Sequence, residues 1–398
     1  MTTSAKAAPA VGQRVESIDV LRGIVMVTMA LDHVRDFFGA AGINPTDPAT
    51  TTVPLFFTRW ITHFCAPVFF LLMGTGAYLS LRTKRREHVS RFLLTRGLWL
   101  IVLETVILRS LGFQFNFDFR VTFFFVLWAL GWSLIVLAVL VRWSPALSAV
   151  FGLTLIVGHN LLDGINAGSL GVFEKLWIVL HQPGLLLAGP KHFIFLAYPL
   201  IPWIGVTAVG YALGQVYTWD AARRRAFLWR LGLSLTIGFV VLRFLNVYGD
   251  PRPWADQRSP LFTFLSFLNT TKYPPSFLFL LMTLGPALLC LRALDKGVRA
   301  WLRPVLVFGK VPLFYFVLHI PLIHLLAVAA SWFRYGAVRW MFESPTPDKY
   351  PFTQPPGWPI PLPYIYAIWI LVVVMLWPIC RWYASLKSRR RDWWLGYL

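Results

Sequence analysis

Six ionisable side chains fall within eighteen residues of one otherwise apolar stretch: Asp19, Arg22, Asp32, His33, Arg35 and Asp36. Charge on a lipid-solvated helix is costly, so such groups point either to chemistry or to pairing. Arg22 and His33 are eleven residues apart, close to three whole turns, so they share one face about 16 Å apart along the axis. Asp36 lies one turn beyond His33, within reach of its imidazole, and Asp32 adjoins it; Asp19 lies one turn before Arg22 and is placed to neutralise it. A fixed cation at one end suits an anionic donor. An imidazole oriented by a carboxylate suits removal of a proton from a hydroxyl or amine. The same charges would also serve if they paired only to hold helices together.

Further along, Arg59 and His63 sit four apart on one face, and Pro67 loosens the backbone near His63. His63 fits either the wall of an acceptor cavity or ordinary helix packing. Arg96 and Glu104, eight apart, also share a side; Glu104 is expected as a structural charge, paired with a cation of the first helix. His192, Tyr198, Trp203 and the prolines Pro199 and Pro202 form a cluster whose broken helix and aromatic faces suit a sugar ring, although aromatic belts at the membrane interface explain many such residues. His319, one turn after Tyr315, is a second candidate for acid–base or substrate contact, or a hydrogen-bonded packing residue. Lys310 opens the same segment.

These residues must be positioned by helices in lipid. The 398 residues are 57% hydrophobic and only 14% charged, with mean hydropathy +0.62, against roughly 45–50% apolar and about 25% charged in soluble domains. Runs of about 20 apolar residues are needed to span. Ten are found: Ile18–Phe38, Pro54–Leu81, Phe92–Leu111, Val121–Val141, Ala146–Leu162, Phe193–Val216, Phe227–Val247, Ser276–Leu294, Val311–Phe333 and Ile360–Tyr383. Trp177–Leu187 is too short to cross and is expected to be re-entrant or interfacial. The expected fold is therefore an all-α polytopic membrane protein of about ten transmembrane helices.

The net charge of +20 does not point to nucleic acid, because the basic residues cluster at the ends of apolar runs. The clusters follow segments two (Arg82, Lys84, Arg85, Arg86), six (Arg223–Arg225), eight (Lys296, Arg299, Arg303) and ten (Lys387, Arg389–Arg391). Under the positive-inside rule this even parity places both termini in the cytoplasm. Met1–Val11 lacks an apolar core and a cleavage site, so the first helix is expected to act as its own insertion signal. Residues 1–14 are expected as a disordered cytoplasmic N-terminus, 15–386 as one integral domain, and 387–398 as a basic cytoplasmic tail. Cys65, Cys290 and Cys380 are widely separated and odd in number, which argues for buried small hydrophobes and against disulfides or zinc. No phosphate loop, H-E-x-x-H, G-x-S-x-G or paired C-x-x-C occurs, and no metal is expected.

The pattern Asp19-x-x-Arg22-Gly23, followed by ten residues and His33, resembles the first helix of the large membrane acyltransferase superfamily, whose acyltransferase-three branch carries a basic residue, x10 and an essential His. Pro67-Val-Phe-Phe-Leu-Leu-Met-Gly74, Arg96-Gly-Leu-Trp99 with Glu104, Tyr198-Pro-Leu-Ile-Pro-Trp203, Tyr273-Pro-Pro-Ser276 with Met282-Thr-Leu-Gly285, and Leu313-Phe-Tyr-Phe-Val-Leu-His319 narrow the likeness. In that order they resemble bacterial relatives of heparan-α-glucosaminide N-acetyltransferase, from about Ser17 to about Leu326. The resemblance implies a cytosolic acetyl-CoA or other acyl-CoA co-substrate, a sugar or glycolipid acceptor, and N- or O-acyl transfer at or across a bacterial inner membrane. It makes His33 the essential base, with Asp32 or Asp36 orienting it, and places Arg22, Arg96 and Lys310 near the donor. His63, His192, Tyr198, Trp203 and His319 would then contact acceptor. Lysosomal members carry Asn at the place of His33 and a functional His in the following loop. Residues 37–53 contain no His, and direct transfer with His33 as base is the simpler course.

Membrane lipid is an expected partner and a homodimer is compatible with the sequence. The rival reading is a proton-coupled transporter relaying protons through the same His and Asp groups, which would carry inverted repeats; none is visible in the segments. A lipid-binding scaffold in which the charges only pair is the third.

Overall fold

A computed structural model describes residues 14–189, 191–345, 349–390 and 392–398. The expectation for residues 1–14 falls outside the described residues except at Arg14. Fourteen α-helices are described: α1 (Glu16–Phe38), α2 (Val53–Thr62), α3 (Cys65–Leu81), α4 (Arg86–Val102), α5 (Val126–Leu140), α6 (Pro145–Gly158), α7 (Glu174–Leu180), α8 (Leu200–Gly214), α9 (Ala221–Leu245), α10 (Pro260–Leu268), α11 (Phe277–Leu294), α12 (Arg303–Lys310), α13 (Pro312–Tyr335) and α14 (Leu362–Arg389). Among the described residues, seven helical stretches are long and apolar enough to cross a membrane: Val53–Leu81, Pro145–Leu162, Leu200–Thr218, Ala221–Leu245, Phe277–Leu294, Pro312–Tyr335 and Leu362–Arg389. The chain is an integral membrane protein. The other three expected spans are helical too, but α1, though unbroken, is rich in charge, α4 runs into a π-helix at Leu103–Phe113, and α5 is only 15 residues long.

The helices sort by exposure. In α6 and α9 22% of the apolar window is buried and in α14 17%, so their outer faces are left for lipid; in α8 the figure is 72% and in α11 67%, and these two are central. Around that centre α3 packs on α8, α4 on α5, α9 on α11, and α1 on α12, α13 and α14.

Two expectations are corrected. The segments starting at Val121 and Phe193 do not begin as helices. Val121–Phe124 (β1) pairs in parallel with Phe193–Leu196 (β3), and Gly184–Ala188 (β2) pairs antiparallel on its other side, in a small sheet ordered β1-β3-β2. Phe-Ile-Phe sequences favour extended backbone, and Pro199 keeps Tyr198 out of the helical region, so α8 starts only at Leu200. The apolar run beginning at Trp177 is divided between α7 and β2.

The second expected span holds as one stretch, Val53–Leu81, with a local break in its hydrogen bonding. Pro67 has no N–H for the His63 carbonyl, and the helix is interrupted between Thr62 and Cys65. The crossing of α1 and α12 is unusually close. A Cβ at Gly309 would lie 1.7 Å from the Asp19 carbonyl oxygen, and one at Gly23 would lie 2.2 Å from that of Val305. Only glycine permits this approach, which brings Arg22 beside Lys310.

Candidate active site

Two cavities among the described residues open beside the first helix. The first, of about 430 Å³, is lined by six cations, Arg14, Arg22, Lys84, Arg96, Lys310 and Lys387, together with apolar residues such as Leu72, Leu100, Leu130 and Leu134. The three residues expected near a donor therefore share one wall system. Arg22 Nη1 donates to Asp19 Oδ1 at 3.0 Å and approaches the Gly309 carbonyl at 3.5 Å. Arg96 donates to the Gly396 carbonyl, and Lys387 Nζ to that of Leu398 at 2.6 Å. The basic segment 387–398 thus starts as the last turn of α14 and folds back on α4.

The second cavity, of about 550 Å³, is polar. It is lined by His33, Asp32, Arg35, Asp36, Arg59, Glu104, Tyr198, Lys272, Tyr273 and Tyr350, among others. Phe69, Val126 and Phe316 line both cavities, so the two meet there. The Phe316 ring lies edge-on to the His33 ring, centroids 6.1 Å apart. His33 is at the meeting point.

The partner of His33 was not legible from helix spacing. Its Nδ1 lies 2.6 Å from Nε2 of His319, 286 residues away, with the rings stacked at 4.9 Å. His319 is fully buried, and its own Nδ1 is 3.1 Å from the Tyr315 carbonyl. A carbonyl only accepts, so His319 Nδ1 carries hydrogen and its Nε2 carries the lone pair. His33 Nδ1–H must then donate to it, which assigns the His33 lone pair to Nε2. No described residue hydrogen-bonds that nitrogen. The expected carboxylate partners are engaged elsewhere: Arg35 bridges Asp32 at 2.8 Å and Asp36 at 2.7 Å, and Asp32 also pairs with Arg59. Asp36 therefore lines the cavity without holding the imidazole.

Glu104 also departs from expectation. No cation of α1 pairs with it. Its two carboxylate oxygens accept the backbone N–H groups of Phe125, Leu127 and Trp128 at 2.8–3.0 Å. It caps α5 at the helix terminus where unpaired N–H groups gather and negative charge is favoured.

Of the other expected acceptor contacts, Tyr198 lines the second cavity. His63 lies buried against Phe279, ring centroids 5.4 Å apart, and Trp203 is fully buried on Phe70 and Tyr198. Neither lines either of these two cavities. His192 is exposed, its Nδ1 3.2 Å from the Phe119 carbonyl, because the chain there enters β3 instead of a helix. The second cavity instead recruits Arg59, Lys272 and Tyr273. Lys272 is 9% exposed and makes no ion pair within 4 Å among the described residues; its Nζ lies over the Tyr273 ring at 5.3 Å. Tyr273 in turn accepts from Arg59 at 3.3 Å. The motif Tyr273-Pro-Pro-Ser276 marked this turn in the sequence, but nothing there singled out Lys272.

The helical membrane bundle thus holds a basic cavity and a polar cavity, with the His33–His319 pair beside their junction. Residues 14–243, more than half the chain, match the family of heparan-alpha-glucosaminide N-acetyltransferase, catalytic, and the chain belongs to that family. Membership implies a membrane acetyltransferase. No curated protein matches the chain.

Proposed function

We propose that the protein transfers an acetyl or similar acyl group from cytosolic acyl-CoA to a hydroxyl or amine of a sugar or glycolipid. The observation that carries this reading is the junction itself, with Phe69, Val126 and Phe316 common to both cavities and His33 beside them. Arg22, Arg96 and Lys310 hold the donor phosphates, and the apolar residues of the same cavity receive the thioester arm. His33 Nε2 takes the proton from the acceptor oxygen or nitrogen as that atom bonds to the carbonyl carbon. The carbon–sulfur bond breaks, and the departing thiolate is protonated from His33 or water. His319 keeps His33 in the required tautomer and shares the charge that develops. Exclusion of water between the cavities limits hydrolysis of the thioester. The basic end of the bundle faces the cytosol of a bacterial cell, whose inner membrane holds the protein. Family membership favours transfer over proton-coupled transport.

The test is release of CoA by purified protein given acetyl-CoA and a panel of amino sugars and sugar alcohols, with product identified by mass. Acceptor-dependent CoA release supports the reading; a protein that neither binds nor consumes acetyl-CoA overturns it. Lys272 supplies a sharper expectation. Its unpaired charge should engage an electronegative group on the acceptor, so Lys272→Met should raise acceptor KM about tenfold, the range of a lost charged hydrogen bond, with donor KM unchanged. An unchanged acceptor KM would remove Lys272 from the site.

A further inference from the structure

A second cluster of chemically able side chains lies away from both cavities, where α6 ends in a 3-10 turn, His159–Leu162. One potential ligand atom from each of His159, Asp163 and His181 lies within 4.8 Å of the other two. Asp163 follows His159 by four residues. His181 arrives from the end of α7, stacked on Trp177 at 5.0 Å; its Nε2–H donates to the His159 carbonyl at 2.8 Å, which leaves the lone pair of its neutral ring on Nδ1. The same Nε2 is 3.6 Å from Asp163 Oδ1, while Asp163 Oδ2 accepts from Asn160 Nδ2 at 2.7 Å. Asn160 is itself fixed, because its Oδ1 accepts the Phe277 N–H at the start of α11 at 2.8 Å.

His159 is the anomaly of this cluster. It is 1% exposed, and neither ring nitrogen has a hydrogen-bond partner; the Pro275 backbone approaches it without reaching hydrogen-bond geometry. A neutral imidazole has one donor and one acceptor, and leaving both unmet in a buried place is costly enough to be rare. Its lone pair, beside a second imidazole and a carboxylate already oriented by Asn160, lacks only a Lewis acid.

We propose that His159, Asp163 and His181 bind one divalent transition-metal ion, zinc by preference, with water completing a tetrahedral shell. Two imidazoles and a carboxylate are ligands that zinc favours, and a hydrogen-bonded carboxylate is the outer support that such sites use. The ion would tie α6 and α7 to the turn before α11, through Asn160 and Phe277. The site is independent of the transfer chemistry and stands or falls without it.

The test uses full-length, tag-free protein, purified in detergent and stripped with chelator. Cobalt(II) is expected to bind at one equivalent with the intense visible bands of a tetrahedral site, to be displaced by zinc, and zinc should raise the thermal unfolding midpoint. Asp163→Asn, at a partly exposed position where folding should survive, is expected to weaken zinc binding at least about tenfold, as is His181→Asn. His33→Gln is expected to leave it unchanged, which separates this cluster from the His33–His319 pair. Absence of stoichiometric binding by the wild type, wild-type affinity in folded Asp163→Asn, or loss of the signal in His33→Gln would each overturn the proposal.

Discussion

Replacing His33 with Gln is expected to lower acyl transfer by at least about 10²-fold, the lower end of what a positioned general base contributes, while the protein remains folded and binds acetyl-CoA within about twofold of wild type. The asymmetry follows from where His33 sits. Its side chain lines the polar cavity and is absent from the wall of the basic one, so the proposed seat of the donor phosphates is out of its contact. Its Nδ1–H is committed to His319, and only Nε2 is left to accept a proton. Gln preserves a polar side chain of similar reach yet supplies no basic nitrogen. The check is kcat together with acetyl-CoA affinity on the same preparation. Wild-type turnover in a folded variant would remove His33 from the reaction, and a joint loss of turnover and donor binding would move it to the donor site.

Glu104→Ala carries the largest expected effect on stability. Its carboxylate is 3% exposed as a residue and receives three backbone N–H groups from the start of α5. Removing it leaves those donors buried without an acceptor, at about 1–3 kcal/mol for each such group. Partial rescue by neighbours brings the expected loss to roughly 3–5 kcal/mol, comparable with breaking a buried charge network. Glu104→Gln keeps one oxygen and should lose about half as much. Unfolding midpoints of the three proteins in one detergent decide the matter. A Glu104→Ala protein as stable as wild type would show that α5 is held by something other than this cap.

The stripe that joins Arg22 to His33 was legible because helical period is a local property; so was the pairing of Asp19 with Arg22, which lies one turn away. Pro67 marked the local break at His63, whereas nothing in the sequence announced the close crossing of α1 with α12 at Gly23 and Gly309. What was not legible depends on partners distant in sequence. His33 looks toward Asp36 when only its own helix is considered, yet α13 brings His319 to its ring while Arg35 and Arg59 occupy the carboxylates. Glu104 looked like half of an ion pair because its true partners are backbone N–H groups, which no residue type announces. His192 and Trp203 were drawn toward the acceptor by an aromatic and proline-rich composition, whereas the pairing of β1 with β3 sets one at the surface and packing on Phe70 buries the other. Lys272 was hidden among basic residues whose common role is topology, and only burial without a counter-ion separates it from them.

Communication between the two cavities at Val126 is the central claim, and a bulky side chain placed there tests it most directly. Val126 opens α5 and lines both cavities. In Val126→Trp, acetyl-CoA affinity should stay within a few-fold of wild type while transfer falls by about 10²-fold, the scale of an ångström-sized misplacement of reacting groups; Val126→Ala should remain active. A folded Val126→Trp protein that transfers acetyl groups at the wild-type rate would contradict the account, because the reacting ligands would then have to meet somewhere else.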